Sequence, residues 1–201
     1  MIDKKLLFIW IPKCAGSSIN RTFNLNYQVA NNDFKYNFDN SSNVTFGHAD
    51  INLLLENNIL SKKFYNDSFK FCVVRNPFDR CISLYHYLKE MGSNCGPGQR
   101  SFKEFIKILY ECEIPKNSLS NVTEIGLLNN QWNEMVSWIP DDIDKIFRFE
   151  NLQEINDFFG IKMVNSNKSS HKDYQYYYDN DSKRMVEIVY KNDLNRFGYE
   201  Y

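Results

Sequence analysis

The sequence predicts an α/β protein, three-layered α/β/α around a central parallel sheet, on three observations. Continuous apolar runs of strand length occur at residues 5–11 and 69–75, as expected for strands buried on both faces. Segments with helical spacing separate them, and alternating strands and helices imply parallel pairing with helices on both faces. Each strong run ends abruptly in a turn-forming stretch, the first at Pro12 and the second at Asn76-Pro77, from which a helix departs.

In chain order, the strand at 5–11 leads to a helix at 17–26 with Ser17 or Ser18 near its start. Residues 43–48 read as a short strand and 50–58 as a helix capped by Asp50. The strand at 69–75, Phe-Lys-Phe-Cys-Val-Val-Arg, precedes a helix from Pro77 to about residue 91. Three glycines and a proline mark 92–100 as a loop. Helices are expected at 101–110 and 124–138, a third strand at 144–149 and a short helix at 151–159 capped by Asn151. The polar stretch 165–171 reads as a loop, 181–190 as a helix, and 193–201 as a closing segment.

A chain of 201 residues suits one domain over 1–201 with a sizeable core. Its 43% hydrophobic and 24% charged residues are those of a globular protein. With 24 basic and 25 acidic groups the net charge is −1, so no basic field recommends nucleic acid as a partner. An anion site must be built locally. The five cysteines form no C-x-x-C pair, which argues for reduced thiols rather than a zinc or redox centre. The apolar run at 6–11 is too short to span a bilayer and lacks a signal-peptide pattern. Read as a whole, the chain is expected to carry no integral membrane segment and to be cytoplasmic.

Two loops carry the chemistry. The first, Ile11-Pro12-Lys13-Cys14-Ala15-Gly16-Ser17-Ser18, joins a strand to a helix that begins with hydroxyls. Unpaired N–H groups at such a helix start face an anion, and Lys13 adds a full charge. The ATP-type P-loop places its lysine next to the hydroxyl residue, whereas Lys13 comes early in this loop. Taken alone, the segment fits a structural strand–turn–helix equally well. In the second loop, Arg75 closes a strand and Ser83 follows about two helical turns later. Both can reach one phosphate, for which a guanidinium offers bidentate geometry. The alternative is that Arg75 pairs with a carboxylate and Ser83 faces solvent.

The Pro-Lys-x-x-Gly-Ser-Ser order resembles the 5′-phosphosulfate loop of the sulfotransferases that use 3′-phosphoadenosine-5′-phosphosulfate (PAPS). Arg-x-Pro-x-x-Arg-x-x-Ser, starting at Arg75, resembles the 3′-phosphate motif of the same family, and the two occur in the family's order. Ile146-Phe147-Arg148-Phe149-Glu150-Asn151-Leu152 is similar to the family's strand followed by Glu-x-Leu, and the closing residues resemble the ending of carbohydrate-type members. The likeness implies a P-loop-NTPase-like sulfotransferase fold, PAPS as co-substrate with PAP as product, and no metal. It implies nucleotide contacts from Lys13, Cys14, Ala15, Gly16, Ser17, Ser18, Arg75 and Ser83, with Lys168 and Ser169 in a late basic loop.

The carbohydrate subfamily implies a hydroxyl-bearing acceptor, a glycan or a small metabolite. Its members carry a membrane anchor, and no stretch of these 201 residues is expected to serve as one. Gly47-His48, after the first helix, resembles the place of their catalytic base, which implies His48 as general base, with Lys13 as the catalytic cation. An imidazole of ordinary pKa, near 6.5, suits that task. His86 reads as a packing or surface residue and His171 as part of the polar loop. Cys14 reads as a small loop residue rather than a nucleophile. A P-loop kinase or NTPase and a non-catalytic PAP-binding module are the competing classes. The first requires magnesium ligands, including a strand-end Asp, where this chain has Arg75.

Overall fold

Five short parallel strands form one sheet in the order β2-β3-β1-β4-β5. They are β1 (Leu6–Trp10), β2 (Asn26–Val29), β3 (Val44–Gly47), β4 (Phe69–Val74) and β5 (Lys145–Arg148). The computed structural model describes residues 3–29, 42–49, 51–56, 58–90, 100–111, 131–164 and 172–201. β1 is central. Leu7 aligns with Val44 of β3 on one side and with Lys70 of β4 on the other. The outer pairs are Asn26 with Val44 and Phe71 with Lys145.

Helices flank this sheet: α1 (Gly16–Phe23), α2 (Ile51–Glu56), α3 (Lys62–Asp67), α4 (Pro77–Glu90), α5 (Phe102–Glu111), α6 (Gln153–Phe159), α7 (Asn180–Val189) and α8 (Lys191–Phe197). Aromatic side chains lock α1 and α6 together over Phe71. Phe23 and Phe159 meet edge-on at 4.9 Å, and both reach the Phe71 ring. A second apolar cluster forms where Phe78, Ile82 and Leu88 of α4 pack with Phe105 of α5 and with Val186 and Tyr190 at α7. Among the described residues, no helix is long and apolar enough to cross a membrane.

The strands predicted from apolar runs are present, and the differences lie in short polar elements. The helix expected at 17–26 ends at Phe23, where Asn24 takes a left-handed conformation. Asn26 then opens β2, a strand whose sequence Asn-Tyr-Gln-Val carries no apolar run. Helix α3 was not foreseen; Ser61 caps it, its hydroxyl accepting from the Phe64 N–H at 3.2 Å. Of the helix expected at 124–138, the described part is a turn followed by a 3-10 helix, Met135–Trp138. The closing segment contains α8, ended by Gly198 at a φ of 61°. Asp50 and the loops at 92–99 and 165–171 lie outside the described residues.

Candidate functional site

The chain leaves β1 toward one edge of the sheet and leaves β4 toward the other. Their C-terminal ends therefore border the crevice where ligands bind in open parallel sheets. Both anion loops start there. In the first, Lys13 and Ala15 both adopt left-handed backbone, at φ 65° and 61°. That conformation costs a residue with a Cβ roughly 1 kcal/mol. It folds the loop tightly enough for α1 to begin at Gly16, with the Ala15 carbonyl accepting the Ile19 N–H at 3.1 Å.

Cys14 anchors the turn from within. Its thiol is fully buried against the Pro12 carbonyl and the Met135 sulfur, and its N–H donates to the Ile11 carbonyl at 3.3 Å. Burial raises the thiol pKa to about 12, with the cations of Arg80 and Arg75 only partly opposing it. Cys14 is thus a packing residue whose polar atoms are engaged inside the loop, rather than an anion ligand. Gly16 lies beneath the Trp10 indole: a Cβ there would fall 1.8 Å from Nε1.

In the second loop the Asn76 side chain caps α4, accepting the Phe78 N–H at 3.0 Å, and Pro77 opens the helix. Arg75 is 5% exposed. Its Nε donates to Asp79 at 2.8 Å, its Nη1 donates to the Lys13 carbonyl at 3.1 Å, and its plane stacks on Phe149 at 4.0 Å. The carboxylate pairing weighed in the sequence is therefore present, through one edge of the guanidinium. Nη2 has no hydrogen-bond partner among the described residues. Ser83, one turn beyond Asp79 on the same face of α4, is buried, and its hydroxyl likewise has no partner among the described residues.

The second arginine of the motif has a different task. Arg80 is buried and donates to three carbonyls: Pro12 at 3.1 Å, Asn133 at 2.8 Å and Gln131 at 2.8 Å. Met135, fully buried, lies under both loops; its sulfur meets the Cys14 thiol and accepts the Arg75 N–H at 3.4 Å. Asp193 holds Met135 in turn, accepting its N–H and that of Val136, both at 2.8 Å. Glu150 accepts the Asn76 N–H at 2.7 Å and the Tyr199 hydroxyl at 2.8 Å. These residues are bracing. The sequence motifs marked Arg80 and Glu150, but nothing local marked Met135 or Asp193.

His48 sits at the end of β3, itself at a φ of 55°, edge-on to Trp10 with ring centroids 5.5 Å apart. Its Nδ1 lies 3.2 Å from the Trp10 carbonyl. A carbonyl only accepts, so Nδ1 carries the proton and Nε2 keeps a free lone pair. Burial lowers the His48 pKa to about 4, helped by the charges of Lys13 and Arg80 and resisted by the bond to Trp10. The ordinary imidazole expected from sequence is instead one held neutral. Lys13 extends its Nζ over the Tyr87 ring, 4.1 Å from the centroid. Burial, and next the Arg75 charge, lower its pKa to about 8.

The crevice thus brings together Lys13, the start of α1 with Ser17 and Ser18, Arg75, Ser83 and His48. Lys168, Ser169 and His171 lie outside the described residues. His86 packs edge-on against Tyr85 and Tyr177 instead. The β5 end offers no open carboxylate, since both Glu150 oxygens are bonded. Among the described residues, no group of His, Cys, Asp and Glu is arranged to hold a metal ion.

A family model described as "Sulfotransferase family" matches residues 2–200. No curated protein matches the sequence. Among solved structures, the chain is similar to mouse sulfotransferase SULT7A1 complexed with PAP, at 13% identity and a TM-score of 0.55 over 96% of this chain and 84% of that one. It is also similar to a sulfotransferase from Alicyclobacillus acidocaldarius, at 14% identity and a TM-score of 0.45 over 97% and 94% of the two chains.

Proposed function

Since the chain belongs to the sulfotransferase family, we propose that it moves a sulfuryl group from PAPS to an acceptor hydroxyl by direct in-line transfer, as a single domain. The observation carrying this reading is the Arg75–Lys13 bond, which makes two anion loops one receptor. The 3′-phosphate falls to Arg75 Nη2 and the Ser83 hydroxyl. The 5′-phosphosulfate falls to Lys13, Ser17, Ser18 and the N–H groups that open α1, with Ala15 and Gly16 supplying backbone only. The remaining donors fit a nucleotide with phosphates at both ends. PAP in the mouse relative's crystal supports the same choice.

In the proposed reaction the acceptor oxygen bonds to sulfur as the bond from sulfur to the bridging phosphate oxygen breaks. The acceptor's proton passes to His48 Nε2, and negative charge grows on the departing phosphate, where Lys13 stabilises it. PAP leaves as product. We assign the acceptor to the carbohydrate class or a small metabolite, from the resemblance of the motifs. Lys168 and Ser169 are proposed to close over the nucleotide. Cys14, Cys72 and Cys81, all buried and unpaired, support a reducing, cytoplasmic setting.

Titration with PAP, and with ATP plus magnesium, tests the donor half. Binding of PAP that survives chelator, with ATP much weaker, is expected; a magnesium-dependent preference for ATP would support a kinase instead. Transfer of label from PAPS to an acceptor panel tests the other half, and PAP binding without turnover would identify a non-catalytic module.

A further inference from the structure

Resting on that reading, we propose that Asp193 of α8 and Tyr199 just beyond it are positioning residues for the 3′-phosphate: between them they pin the backbone on both sides of Arg75. A side chain at a strand end is aimed by the two peptide planes flanking its Cα, each of which is rigid. The N–H groups of both planes are held. That of Arg75 donates to the Met135 sulfur at 3.4 Å, and that of Asn76 donates to Glu150 Oε1 at 2.7 Å. Each acceptor is held in turn by α8 or the residues after it. Asp193 Oδ2 accepts the Met135 N–H at 2.8 Å, and Glu150 Oε2 accepts the Tyr199 hydroxyl at 2.8 Å. One tie thus runs from Asp193 through Met135 to the near side of Arg75, the other from Tyr199 through Glu150 to its far side.

Both ties are anchored at their source. Asp193 is fully buried, and its second oxygen accepts the Val136 N–H at 2.8 Å, so the carboxylate straddles the start of the 3-10 helix that carries Met135. The Tyr199 ring lies 4.7 Å from the Arg148 guanidinium, which also donates to the Phe197 carbonyl. Burial, and next the Glu150 charge, raise the Tyr199 pKa, so the hydroxyl keeps the proton it donates. A third bond runs the same way: Asn76 Nδ2 donates to the Glu200 carbonyl at 2.9 Å. A guanidinium bond to phosphate is directional, and a donor oriented before the ligand arrives binds it at lower cost. The Tyr199 tie ends on the Arg75 side, whereas Met135 also touches Cys14 in the Lys13 loop, so Tyr199 is the sharper probe.

The test compares PAP with adenosine 5′-phosphate, which lacks the 3′-phosphate, by calorimetric titration. Tyr199→Phe keeps the ring and removes only the hydroxyl. It should weaken PAP about three- to tenfold and adenosine 5′-phosphate by no more than about twofold. In an Arg75→Ala background the same substitution should change PAP affinity by no more than about twofold, because its effect passes through Arg75. Asp193→Asn, with one oxygen for two N–H groups, should weaken PAP more than adenosine 5′-phosphate; equal losses would remove Asp193 from the role, and if that variant fails to fold, Tyr199→Phe decides alone. A Tyr199→Phe protein that prefers PAP as strongly as wild type does, or that still loses PAP affinity in the Arg75→Ala background, would overturn the positioning role, even with a lowered Tm. Wild-type protein that binds PAP no better than adenosine 5′-phosphate would instead overturn the two-phosphate receptor, and the positioning role with it.

Discussion

Arg75 Nη1 donates to the backbone carbonyl of Lys13 at 3.1 Å, across 62 residues of sequence. On the proposed reading, one side chain both offers Nη2 to a phosphate and fixes the loop assigned to the other end of the nucleotide. Asp79 holds its Nε edge and Phe149 its face, so the guanidinium is aimed before any ligand arrives.

Replacing Arg75 by Ala should weaken PAP and PAPS by about 1.5–3 kcal/mol, the usual cost of a charge-assisted hydrogen bond. Adenosine 5′-phosphosulfate, lacking the 3′-phosphate, should lose much less. Calorimetric titration of the three nucleotides reads the difference. Equal losses would assign Arg75 to bracing the Lys13 loop alone.

The pH profile of kcat/KM should be a broad bell. As the proposed base, His48 acts only when neutral. Burial places its pKa near 4, so activity should rise through about pH 4 and be flat by pH 6. As the proposed cation, Lys13 acts only when charged, and its pKa near 8 should make activity fall as pH rises through that value. His48→Ala should abolish the acidic limb and lower kcat by roughly 10²–10⁴-fold, with PAP affinity kept. Lys13→Arg should remove the alkaline limb, because guanidinium stays charged. An acidic limb near 6.5 would show that His48 is more hydrated than its position indicates.

Arg80→Ala should be the most destabilising change in the motif. It leaves the buried carbonyls of Pro12, Gln131 and Asn133 without their donor and removes the charge that opposes the burial-driven rise of the Asp193 pKa. Removing one partner of a buried charged network costs about 3–5 kcal/mol. For a chain of this length that lowers Tm by about 10 °C. Thermal denaturation measures it, and a drop within 2–3 °C would contradict the bracing role.

Gly16→Ala tests the Trp10 contact. The added methyl needs the space of the indole, which is pinned by Tyr27 on one side and His48 on the other. Displacing Trp10 disturbs the carbonyl neighbourhood that fixes the His48 tautomer. The variant should show altered tryptophan fluorescence and a kcat reduced about tenfold or more, with a smaller change in PAP affinity. Normal turnover would mean that Trp10 moves freely.

The legible parts of the molecule were those written locally. Apolar runs announced β1 and β4, and the turn chemistry after each announced the strand–loop–helix connections that carry the candidate anion loops. β2 escaped because Asn26–Val29 is only four residues long with no continuous apolar run; it is a strand through its pairing with β3. The candidate base was marked by Gly47-His48, but its tautomer and its lowered pKa come from Trp10, 38 residues away. The bracing under the loops depends on Met135 and Asp193, which approach only through tertiary packing and leave no local pattern.

Among the described residues every strand pairing is parallel, and the crevice lies between the ends of strands separated by almost sixty residues of chain, with Leu6 aligned to Phe69. Such contacts cannot form until long segments have been closed into place, and chains built from them fold slowly. The proposed nucleotide receptor does not exist before β4 docks on β1. PAP should therefore leave the refolding rate of this chain nearly unchanged and slow its unfolding, lengthening the life of the native state.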